Sequence, residues 1–361
     1  MDIKNVPKHV YLREWIRKNI MDKTFANGEK LLSENILAEK FGISRQTVRQ
    51  AIGALEAEGL LERRRGSGTY ICSSNIQSHP KTMNIGVITT YVDDYIFPGI
   101  IKGIDTVLSH YGYGMSLGIT YNKVENEGKL LRSLLDKGID GLIVEATKSA
   151  LPNPNLDIYK EFDAQGIPYI FINGYYPALP CNKVIMDDEY GGYTAASTLI
   201  NAGHRKIGGI FKSDDIQGHS RYAGFAKALK NSGIILNDSS VVWYTTEDVE
   251  SFFSGEFDKI IMSRLSRCTG VVCYNDQIAL KFMDMLARND KKVPDDMSIV
   301  SFDDSNLATI QSIGITSVAH AGAHLGEQAA DRIIKLIDRP EEDQTLVMKP
   351  QMVERDSVKI L

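Results

Sequence analysis

The sequence predicts an α/β protein with a small α+β head: a winged helix-turn-helix domain over 1–71, a linker over 72–82, and a doubly wound domain of two subdomains over 83–361. Three observations predict this organisation. Two short capped helices and a basic hairpin can be read in the first 71 residues. From Met83 onward, short β-rich apolar runs alternate with helical stretches, as in βαβ units. A chain of 361 residues also exceeds what one core usually serves.

The helix-turn-helix pattern follows Ser33. Ser33 and Ser44 each precede an apolar-periodic run, where a hydroxyl can cap the N–H groups of a helix start. Gly42 ends the first run and suits the left-handed position that follows a helix. In the second run Val48 and Ile52 recur at helical spacing and should face the core. Two short helices joined by such a tight turn are typical of a helix-turn-helix.

The second helix and the stretch after it carry side chains that can bind DNA. Arg45, Gln46 and Arg49 should face outward, and Arg and Gln pair bidentately with guanine and adenine edges in the major groove. The segment 60–71 is typical of a hairpin, or wing, in which a run of arginines leads into Gly-Ser-Gly. A lysine near the start of an earlier helix could also touch phosphate. The predicted contacts with double-stranded DNA are Lys8, Ser33, Glu34, Ser44, Arg45, Gln46, Thr47, Arg49, Arg65 and Gly68.

Charge and composition agree with this division. Residues 1–78 carry 13 Lys and Arg against 9 Asp and Glu, a balance of +4, while the rest carries 28 against 37, a balance of −9. A basic head suits phosphate binding and an acidic body does not. There is no apolar signal segment and no run of 18 apolar residues, so we expect a cytoplasmic protein without a membrane partner. The four cysteines lack metal-binding spacing and are expected to be reduced thiols.

The body begins at Met83 with runs that predict parallel sheets. The predicted strands are MNIGVITTY, GMSLGITYN, GLIVEA, PYIFING, KIGGIFK, VVWYTT, GVVCYND and MSIVSFDD. The predicted helices include Phe97–His110, Gly191–Ala202, Arg221–Ser232 and Gln277–Arg288. The two halves share this pattern, as two doubly wound subdomains would.

Ligands of open parallel sheets bind outside the carboxyl ends of the strands, so the residues that follow predicted strands propose a pocket. They are carboxylates, amides, a few cations and tyrosines, which suit the hydroxyls and the apolar C–H face of a sugar. The set is Tyr91, Asp93, Asp94, Tyr95, Glu145, Thr147, Lys148, Asn173, Asp187, Asp188, Lys212, Asp214, Asp215, Asn275, Asp276, Asp303 and Asp304. For each residue singly, a strand-end cap or a surface position is an equal alternative. Asp188 and Asp304, as second members of Asp-Asp pairs, are expected to cap the following element.

The head resembles the winged-helix DNA-binding domain of the GntR family. The resemblance is carried by LLSENILAEKFGISRQTVRQAIGALEAEGLLERRRGSGTY. It implies a transcription regulator that binds operator DNA.

The body resembles the periplasmic-binding-protein-like effector domain of LacI/GalR-type regulators. The matching stretches are LLDKGIDGLIV, GIPYIFING, MDDEYGGYTAASTLINAGHRKIGGI, SRYAGFAKAL, CYNDQIALKFMDML and DMSIVSFDDS. The resemblance implies that an Arg at a helix start, an Asn and an Asp bind the ligand, here Arg221, Asn275 and Asp303, and that Asn173 and His320 face it. The predicted effector-binding set is Tyr91, Asp94, Tyr95, Glu145, Asn173, Lys212, Asp215, Arg221, Asn275, Asp303 and His320. Because the head is not of the LacI type, coupling through a LacI hinge helix is in doubt.

Together the two resemblances imply a mechanism. A homodimer would present two winged helices to a pseudo-palindromic operator, and a small-molecule sugar between the subdomains would close them and release the DNA. Only the resemblance to catabolic repressors implies that the sugar releases the repressor from DNA rather than tightening its binding to DNA. A neutral pentose fits the carboxylate-rich set. The pairing of a GntR head with this body, together with TTYVDDYIFPGIIKGI, DGLIVEATKSA and GIFKSDDIQG, resembles regulators of arabinose use, which implies L-arabinose. Another sugar, a purine or a phosphosugar is the alternative within the same fold.

An enzyme or a solute-binding protein is the alternative of a different class. The chain lacks a Walker loop, a Gly-x-Ser-x-Gly elbow and a Gly-x-Gly-x-x-Gly after the first strand, so we predict no catalytic residues. His320 and His324, at i and i+4, or the Asp-Asp pairs could hold a metal. A helix start near the pocket is the simpler interpretation of the histidines, and neither a metal nor a cofactor is predicted. The DNA-binding head and the missing signal segment argue against a transport protein.

Overall fold

The computed structural model describes residues 8–21, 24–57, 59–64, 67–72, 81–93, 95–252, 254–255 and 257–361. The chain divides into two compact units, Met1–Thr82 and Met83–Leu361, which we call the head and the body. Most of the predicted linker (73–80) lies outside the described residues, as do Arg65 and Asp94 of the predicted sites. Among the described residues, no helix is both long and apolar enough to cross a membrane.

The head contains three helices and a two-stranded hairpin: α1 (Lys8–Met21), α2 (Glu34–Phe41), α3 (Arg45–Ala57), β1 (Leu61–Arg64) and β2 (Gly68–Ile71). Ser33 caps α2, because its Oγ accepts the N–H of Ile36 at 3.4 Å. Gly42 ends that helix in the left-handed region, with φ of 58°. At α3 the cap is Ser44, whose Oγ accepts the N–H of Thr47 at 3.1 Å. The predicted helix starts and the turn between them are confirmed.

The core of the head decides which face of α3 stays outside. Helix α1 packs on α3, and the side chains of Ile16, Val48 and Leu55 are fully buried in one cluster. Burying an aliphatic side chain contributes about 1.5–3 kcal/mol, so this face of α3 is held inward. Strands β1 and β2 pair antiparallel, with Arg64 opposite Gly68. The predicted winged helix-turn-helix arrangement is therefore confirmed.

The body is built from twelve strands among its described residues. They are β3 (Asn84–Thr89), β4 (Gly114–Ile119), β5 (Gly141–Glu145), β6 (Tyr169–Ile172), β7 (Asn182–Met186), β8 (Ile207–Lys212), β9 (Val241–Tyr244), β10 (Gly270–Cys273), β11 (Ser298–Asp303), β12 (Thr316–Ala319), β13 (Leu346–Met348) and β14 (Met352–Val353). The helices are α4 (Phe97–His110), α5 (Val124–Lys137), α6 (Leu156–Gln165), α7 (Asp188–Asn201), α8 (Ile216–Asn231), α9 (Val249–Phe252), α10 (Asp258–Leu265), α11 (Asp276–Arg288) and α12 (Ala323–Asp338).

These strands form two six-stranded sheets, one in each of two lobes. Lobe 1 has the order β13-β7-β6-β5-β3-β4, all parallel. Lobe 2 has the order β14-β12-β11-β10-β8-β9, parallel except for the β12–β14 pair. Strands β5 and β8 are buried along their whole length, as expected of parallel strands covered by helices on both faces. The predicted doubly wound architecture of two subdomains is confirmed.

The chain passes between the lobes three times. It leaves lobe 1 after β7, returns after β12 when α12 packs against α4, and leaves again between β13 and β14. Each lobe is therefore completed by a segment distant in sequence. The space between the lobes is flanked by the carboxyl ends of strands from both sheets, which positions the cavity described below.

Two sequence-based assignments are corrected here. Helix α8 begins at Ile216, not at Arg221, so Arg221 lies in the second turn of the helix rather than at its start. The short strands β12, β13 and β14 were not predicted. They have four, three and two residues. Strands this short are defined by their partners more than by their own periodicity.

Candidate functional site

The outer face of α3 carries the side chains predicted to read DNA. Arg45, Gln46 and Arg49 are exposed, while Val48 on the same helix is fully buried. The hydroxyls of Ser44 and Thr47 lie 2.8 Å apart at the helix start. The N-terminal residues of a recognition helix are those that usually meet base edges. The geometry of α3 is thus that of a helix able to enter a major groove.

Glu34 organises the basic side chains around α3. Its carboxylate accepts a hydrogen bond from Nε of Arg49 at 2.8 Å and lies 3.4 Å from Nη2 of Arg63. It therefore links the start of α2 to both the recognition helix and the hairpin. Arg63 was not among the predicted contacts, although the run of arginines in the hairpin was the signal for it.

The remaining predicted DNA contacts lie in the head at two further places. Nζ of Lys8 is 3.5 Å from the carbonyl oxygen of Gly42, at the turn between α2 and α3. Gly68 has φ of 129°, and a Cβ there would lie 2.6 Å from Cε of Lys30. The hairpin therefore requires glycine at this position. Arg65, the other predicted hairpin contact, lies outside the described residues.

A cavity of about 660 Å³ lies between the lobes of the body. Nine of the ten described residues predicted to bind effector line it, namely Tyr91, Tyr95, Glu145, Asn173, Lys212, Asp215, Arg221, Asn275 and Asp303. Most of these residues lie close together because they follow parallel strands, whose carboxyl ends are all on the same side of a sheet. The tenth residue, His320, lies behind this lining.

Arg221 is the central cation of the cavity wall. It is 3% exposed, its Nε donates to Asp188 at 2.7 Å, and its Nη2 is 3.6 Å from Asp303. The guanidinium also lies over the rings of Tyr274 and Phe302, at 4.8 Å and 4.3 Å from their centroids. Burial alone would lower the pKa of Arg221, but the two carboxylates outweigh it and raise that pKa, so the side chain stays charged.

Close packing of α7 against α8 places this guanidinium. A Cβ on Gly192 of α7 would lie 1.9 Å from the carbonyl oxygen of Arg221, and one on Gly224 of α8 would lie 1.9 Å from that of Glu189. Both helices can approach so closely only because these two residues are glycines. The approach brings Asp188, near the start of α7, within reach of Arg221.

Two lobes meet at Asp303. The hydroxyl of Tyr95 in lobe 1 donates to Oδ2 of Asp303 in lobe 2 at 2.6 Å. Asp303 has φ of 95°, a left-handed conformation that is strained for an aspartate at the end of a strand. Both carboxylate oxygens of Asp303 have partners: Oδ2 accepts from Tyr95, and Oδ1 lies 3.6 Å from Nη2 of Arg221.

Lys212 is a second buried cation held by two carboxylates. Its Nζ donates to Asp215 and lies 3.4 Å from Asp214. Burial alone would lower the pKa of Lys212, but these carboxylates outweigh burial and the pKa is raised. The hydroxyl of Tyr274 also donates to Asp215, at 3.3 Å. The positive charge of Lys212 is thus compensated by carboxylates within the protein.

A hydrogen-bond chain runs from the cavity into the protein through Asn173. The N–H of Gly322 donates to Nδ1 of His320 at 2.9 Å, so the proton of the neutral ring is on Nε2 and points to Oδ1 of Asn173 at 3.1 Å. The amide of Asn173 then donates to Glu145 at 3.0 Å, and Glu145 also accepts from the N–H of Thr90 at 2.8 Å. Burial raises the pKa of Glu145, and the donors from Thr90 and Asn173 partly offset that rise.

Two expectations about individual aspartates are wrong, and the arrangement needed for a metal at the histidines is not formed. Asp188 does not cap α7, because Asp187 does so by accepting the N–H of Tyr190 at 2.9 Å. Asp304 pairs with Arg355 at 2.6 Å instead of capping the next element. His320 and His324 do not share a helix face, because α12 begins only at Ala323. Among the described residues, no group of three or more His, Cys, Asp or Glu side chains could hold a metal ion.

Other residues of the cavity were not predicted. Tyr244 and Tyr274 line it from the carboxyl ends of β9 and β10, and Asn122 and Gln217 line it as well. Asn122 stands three residues beyond the end of β4, so the same strand-end rule points to it. Gln217 carries no such signal, because it belongs to the first turn of α8, which was predicted to start later.

The lining can bind a neutral, hydroxyl-rich molecule. Of the described residues, six acidic and four basic side chains line the cavity, and the buried cations Lys212 and Arg221 are each held by two carboxylates. Tyrosines supply apolar ring faces and hydroxyls beside these charges. Such a combination of polar groups and aromatic surface is typical of sites for small polar ligands.

Comparison with known proteins identifies both units. Residues 9–71 match the family model of bacterial regulatory proteins of the gntR family, and residues 196–358 match that of the periplasmic binding protein-like domain. The crystal structure of the transcription regulator CcpA of Lactococcus lactis is similar to the chain with a TM-score of 0.67 and 25% identity. The similarity covers 76% of this chain and 99% of that one. The fold and its two sites thus define a class, the transcriptional regulators that join a DNA-binding head to a small-molecule-binding body.

Two curated relatives narrow this class. The arabinose metabolism transcriptional repressor of Halalkalibacterium halodurans is 39% identical over 97% of this chain and 96% of that protein. The repressor of the same name from Geobacillus stearothermophilus is 36% identical over 99% of this chain and all of that protein. The chain belongs to the family of arabinose metabolism transcriptional repressors. It is accordingly a sugar-responsive repressor that binds operator DNA, and not an enzyme.

Proposed function

We propose that this repressor binds a pseudo-palindromic operator as a homodimer and is released by L-arabinose, which binds in the cavity between the lobes. One observation carries the choice of a small neutral sugar: the buried cations of the cavity wall already have carboxylate partners within the protein. The names of the relatives at 39% and 36% identity support L-arabinose in particular.

A phosphosugar fits this cavity less well. A phosphate group needs cations or N–H donors that are available to it. Here Lys212 and Arg221 are engaged by Asp215, Asp214, Asp188 and Asp303, and further carboxylates line the wall. A dianion would have to displace these partners. The hydroxyls of a neutral pentose can donate to the same carboxylates without displacing them.

In the proposed binding mode, side chains from both lobes hold the sugar. Arg221, Asn275 and Asp303 of lobe 2 bind hydroxyls from one side, and Glu145 and Asn173 of lobe 1 bind from the other. Tyr91 and Tyr95 cover the apolar face of the ring. Because groups from both lobes engage one ligand, its binding favours the closed arrangement of the lobes.

Release from DNA then follows from linkage. A two-fold dimer fixes the distance between its two recognition helices, and operator half-sites must match that distance. We propose that closure of the lobes changes this distance. If sugar weakens operator affinity by some factor, operator DNA must weaken sugar affinity by the same factor. The place of action is the cytoplasm, where the operator is.

The test uses the purified full chain and two measurements. Double-stranded DNA selected by the chain from a random pool serves as the operator, and its affinity is measured with and without L-arabinose. Calorimetry against a panel of pentoses, hexoses, a phosphopentose and a purine then ranks the effectors. We expect L-arabinose to bind most tightly and to lower operator affinity. Tighter operator binding in its presence, or preference for another compound, would overturn the proposal.

A further inference from the structure

Four loops at the carboxyl ends of the strands hold the two lobes together at the edge of the cavity, and some of their side chains also line it. In lobe 1 they follow β4 and β5, and in lobe 2 they follow β8 and β9. The side chains that meet there are Asn122, Lys148 and Ser149 from lobe 1 with Asp214, Thr246 and Glu247 from lobe 2. We call this set the latch.

The buried part of the latch is a directed chain of hydrogen bonds. Asn122 is 1% exposed, and its Oδ1 accepts the N–H of Lys148 at 2.8 Å, which turns its NH₂ group toward lobe 2. That group donates to Oγ1 of Thr246 at 2.6 Å, and the Thr246 hydroxyl donates onward to Asp214 at 2.7 Å. Every donor in the chain faces an acceptor, and the middle bond crosses from one lobe to the other.

The outer part of the latch is ionic. Nζ of Lys148 lies 2.6 Å and 2.8 Å from the two carboxylate oxygens of Glu247 and 3.7 Å from Asp214. This arrangement lowers the pKa of Glu247, chiefly through its hydrogen bond with Lys148. A further crossing contact is made by Ser149, whose Oγ accepts the N–H of Ile216 at 2.9 Å.

The backbone of lobe 1 is bent to make these contacts. Tyr121, Asn122 and Lys148 have φ of 53°, 52° and 46°, a left-handed region that non-glycine residues rarely adopt. Such conformations are costly, and surrounding interactions must hold them in place. Two of these strained residues, Asn122 and Lys148, have hydrogen-bond partners in the opposite lobe.

We propose that the latch sets the equilibrium between open and closed lobes, and thereby the sugar concentration at which the repressor responds. This inference rests on the proposed function, because it assumes that the sugar binds between the lobes. The latch contacts need the loops of the two lobes within hydrogen-bonding distance of each other, so an opening that separates these loops would break them. If sugar binds the closed form, its apparent dissociation constant increases as the closed fraction falls. Weakening the latch should therefore weaken sugar binding without touching the residues proposed to hold the sugar.

The main test measures L-arabinose binding to the full chain by calorimetry. Thr246→Val removes the hydroxyl at the centre of the chain while keeping the shape of the side chain, and we expect its Kd to be roughly 3–10-fold higher. Lys148→Met should raise Kd less, because Glu247 is 61% exposed and such ion pairs contribute little. The matched control is Lys129→Met, which breaks a 2.6 Å ion pair with Glu125 inside one helix of lobe 1 and should leave Kd unchanged.

Two further measurements separate the possible failures. In the Lys148→Met, Glu247→Gln double variant, Kd should be no higher than in Lys148→Met alone, because both changes break the same pair. Additive losses would mean that Lys148 and Glu247 act on sugar binding independently and not as a pair, which overturns the latch. Hydrogen exchange of the sugar-free chain gives a readout independent of ligand identity, and Thr246→Val should speed exchange at 121–122 and 246–247. Unchanged exchange in that variant overturns the latch, whereas failure of the unmodified chain to bind L-arabinose overturns only the proposed function.

Discussion

Asp188 and Arg221 form a buried ion pair, with Oδ1 of the aspartate 2.7 Å from Nε of the arginine and both side chains less than 8% exposed. The pair joins α7 to α8 and places the guanidinium on the wall of the effector cavity. One contact thus serves the packing of lobe 2 and also positions the side chain that we propose binds the sugar. Its removal should affect both.

Replacing Arg221 with alanine should destabilise the body by about 3–5 kcal/mol, because Asp188 would remain buried without its cation. The variant should also lose its response to sugar while the separate head still binds operator DNA. Urea unfolding of the body and calorimetry with L-arabinose measure the two effects. The Asp188→Asn, Arg221→Gln double variant should recover much of the stability but not the binding. Normal sugar binding in either variant would contradict the proposed role of Arg221.

Arg45→Ala should weaken operator binding by about 1–3 kcal/mol if its guanidinium reads a base. Arg45 is exposed on α3, and among the described residues Glu34 pairs with Arg49 and Arg63 rather than with Arg45. Sugar affinity should be unchanged, and so should operator binding by the control Arg132→Ala in the body. Fluorescence anisotropy on operator and on scrambled DNA distinguishes base reading from phosphate contact. An equal loss on both DNAs would show that Arg45 contacts only the backbone.

His320 should make the body less stable as the pH falls below neutrality. Burial lowers the pKa of His320 beneath its usual 6.5, so the unfolded state binds the proton before the folded state does. The stability that this histidine contributes is complete above pH 6.5 and is lost as the pH falls through the lowered value. Protonation of Nδ1 would also break the hydrogen bond from Gly322.

The measurement compares the unfolding free energy of the unmodified chain with that of His320→Gln between pH 7.5 and 5.5. The difference should be largest at pH 7.5 and should shrink toward pH 5.5. Comparison with the variant is needed because other groups titrate nearby, among them Asp276, whose pKa burial raises to about 6. A difference that stays constant with pH would mean that His320 does not change its proton occupancy on folding.

Gly192→Ala should separate α7 from α8. The new methyl group would lie 1.9 Å from the carbonyl oxygen of Arg221, so backbone must move. We expect a loss of about 1–3 kcal/mol of stability and weaker sugar binding, since Arg221 shifts with its helix. The matched control is Gly99→Ala in α4, where the nearest atom would be 3.6 Å away. Equal stability of the two variants would show that the helices can part without cost.

Much of the site could be predicted from the sequence because its signals are local. Ser33 and Ser44 act as caps through neighbours within three residues, and the apolar period of α3 alone decides which of its faces is exposed. The strand-end rule needs only the order of strands and their ends. It therefore located Glu145, Asn173 and Asp303 on the cavity wall before any side-chain position was known.

The sequence by itself predicted the two units of the chain, the type of many of its longer elements and the principal polar side chains of the cavity wall. Only the tertiary structure decided which partner each polar side chain takes. Asp188 pairs with Arg221 while its neighbour Asp187 caps the helix, His320 lies behind Asn173, and Asn122 reaches Thr246 across the cleft. Apart from the local cap by Asp187, these partners are 33 to 147 residues apart in the chain. Such distant pairings depend on how helices and lobes pack after the chain has crossed between them, and no local pattern encodes that.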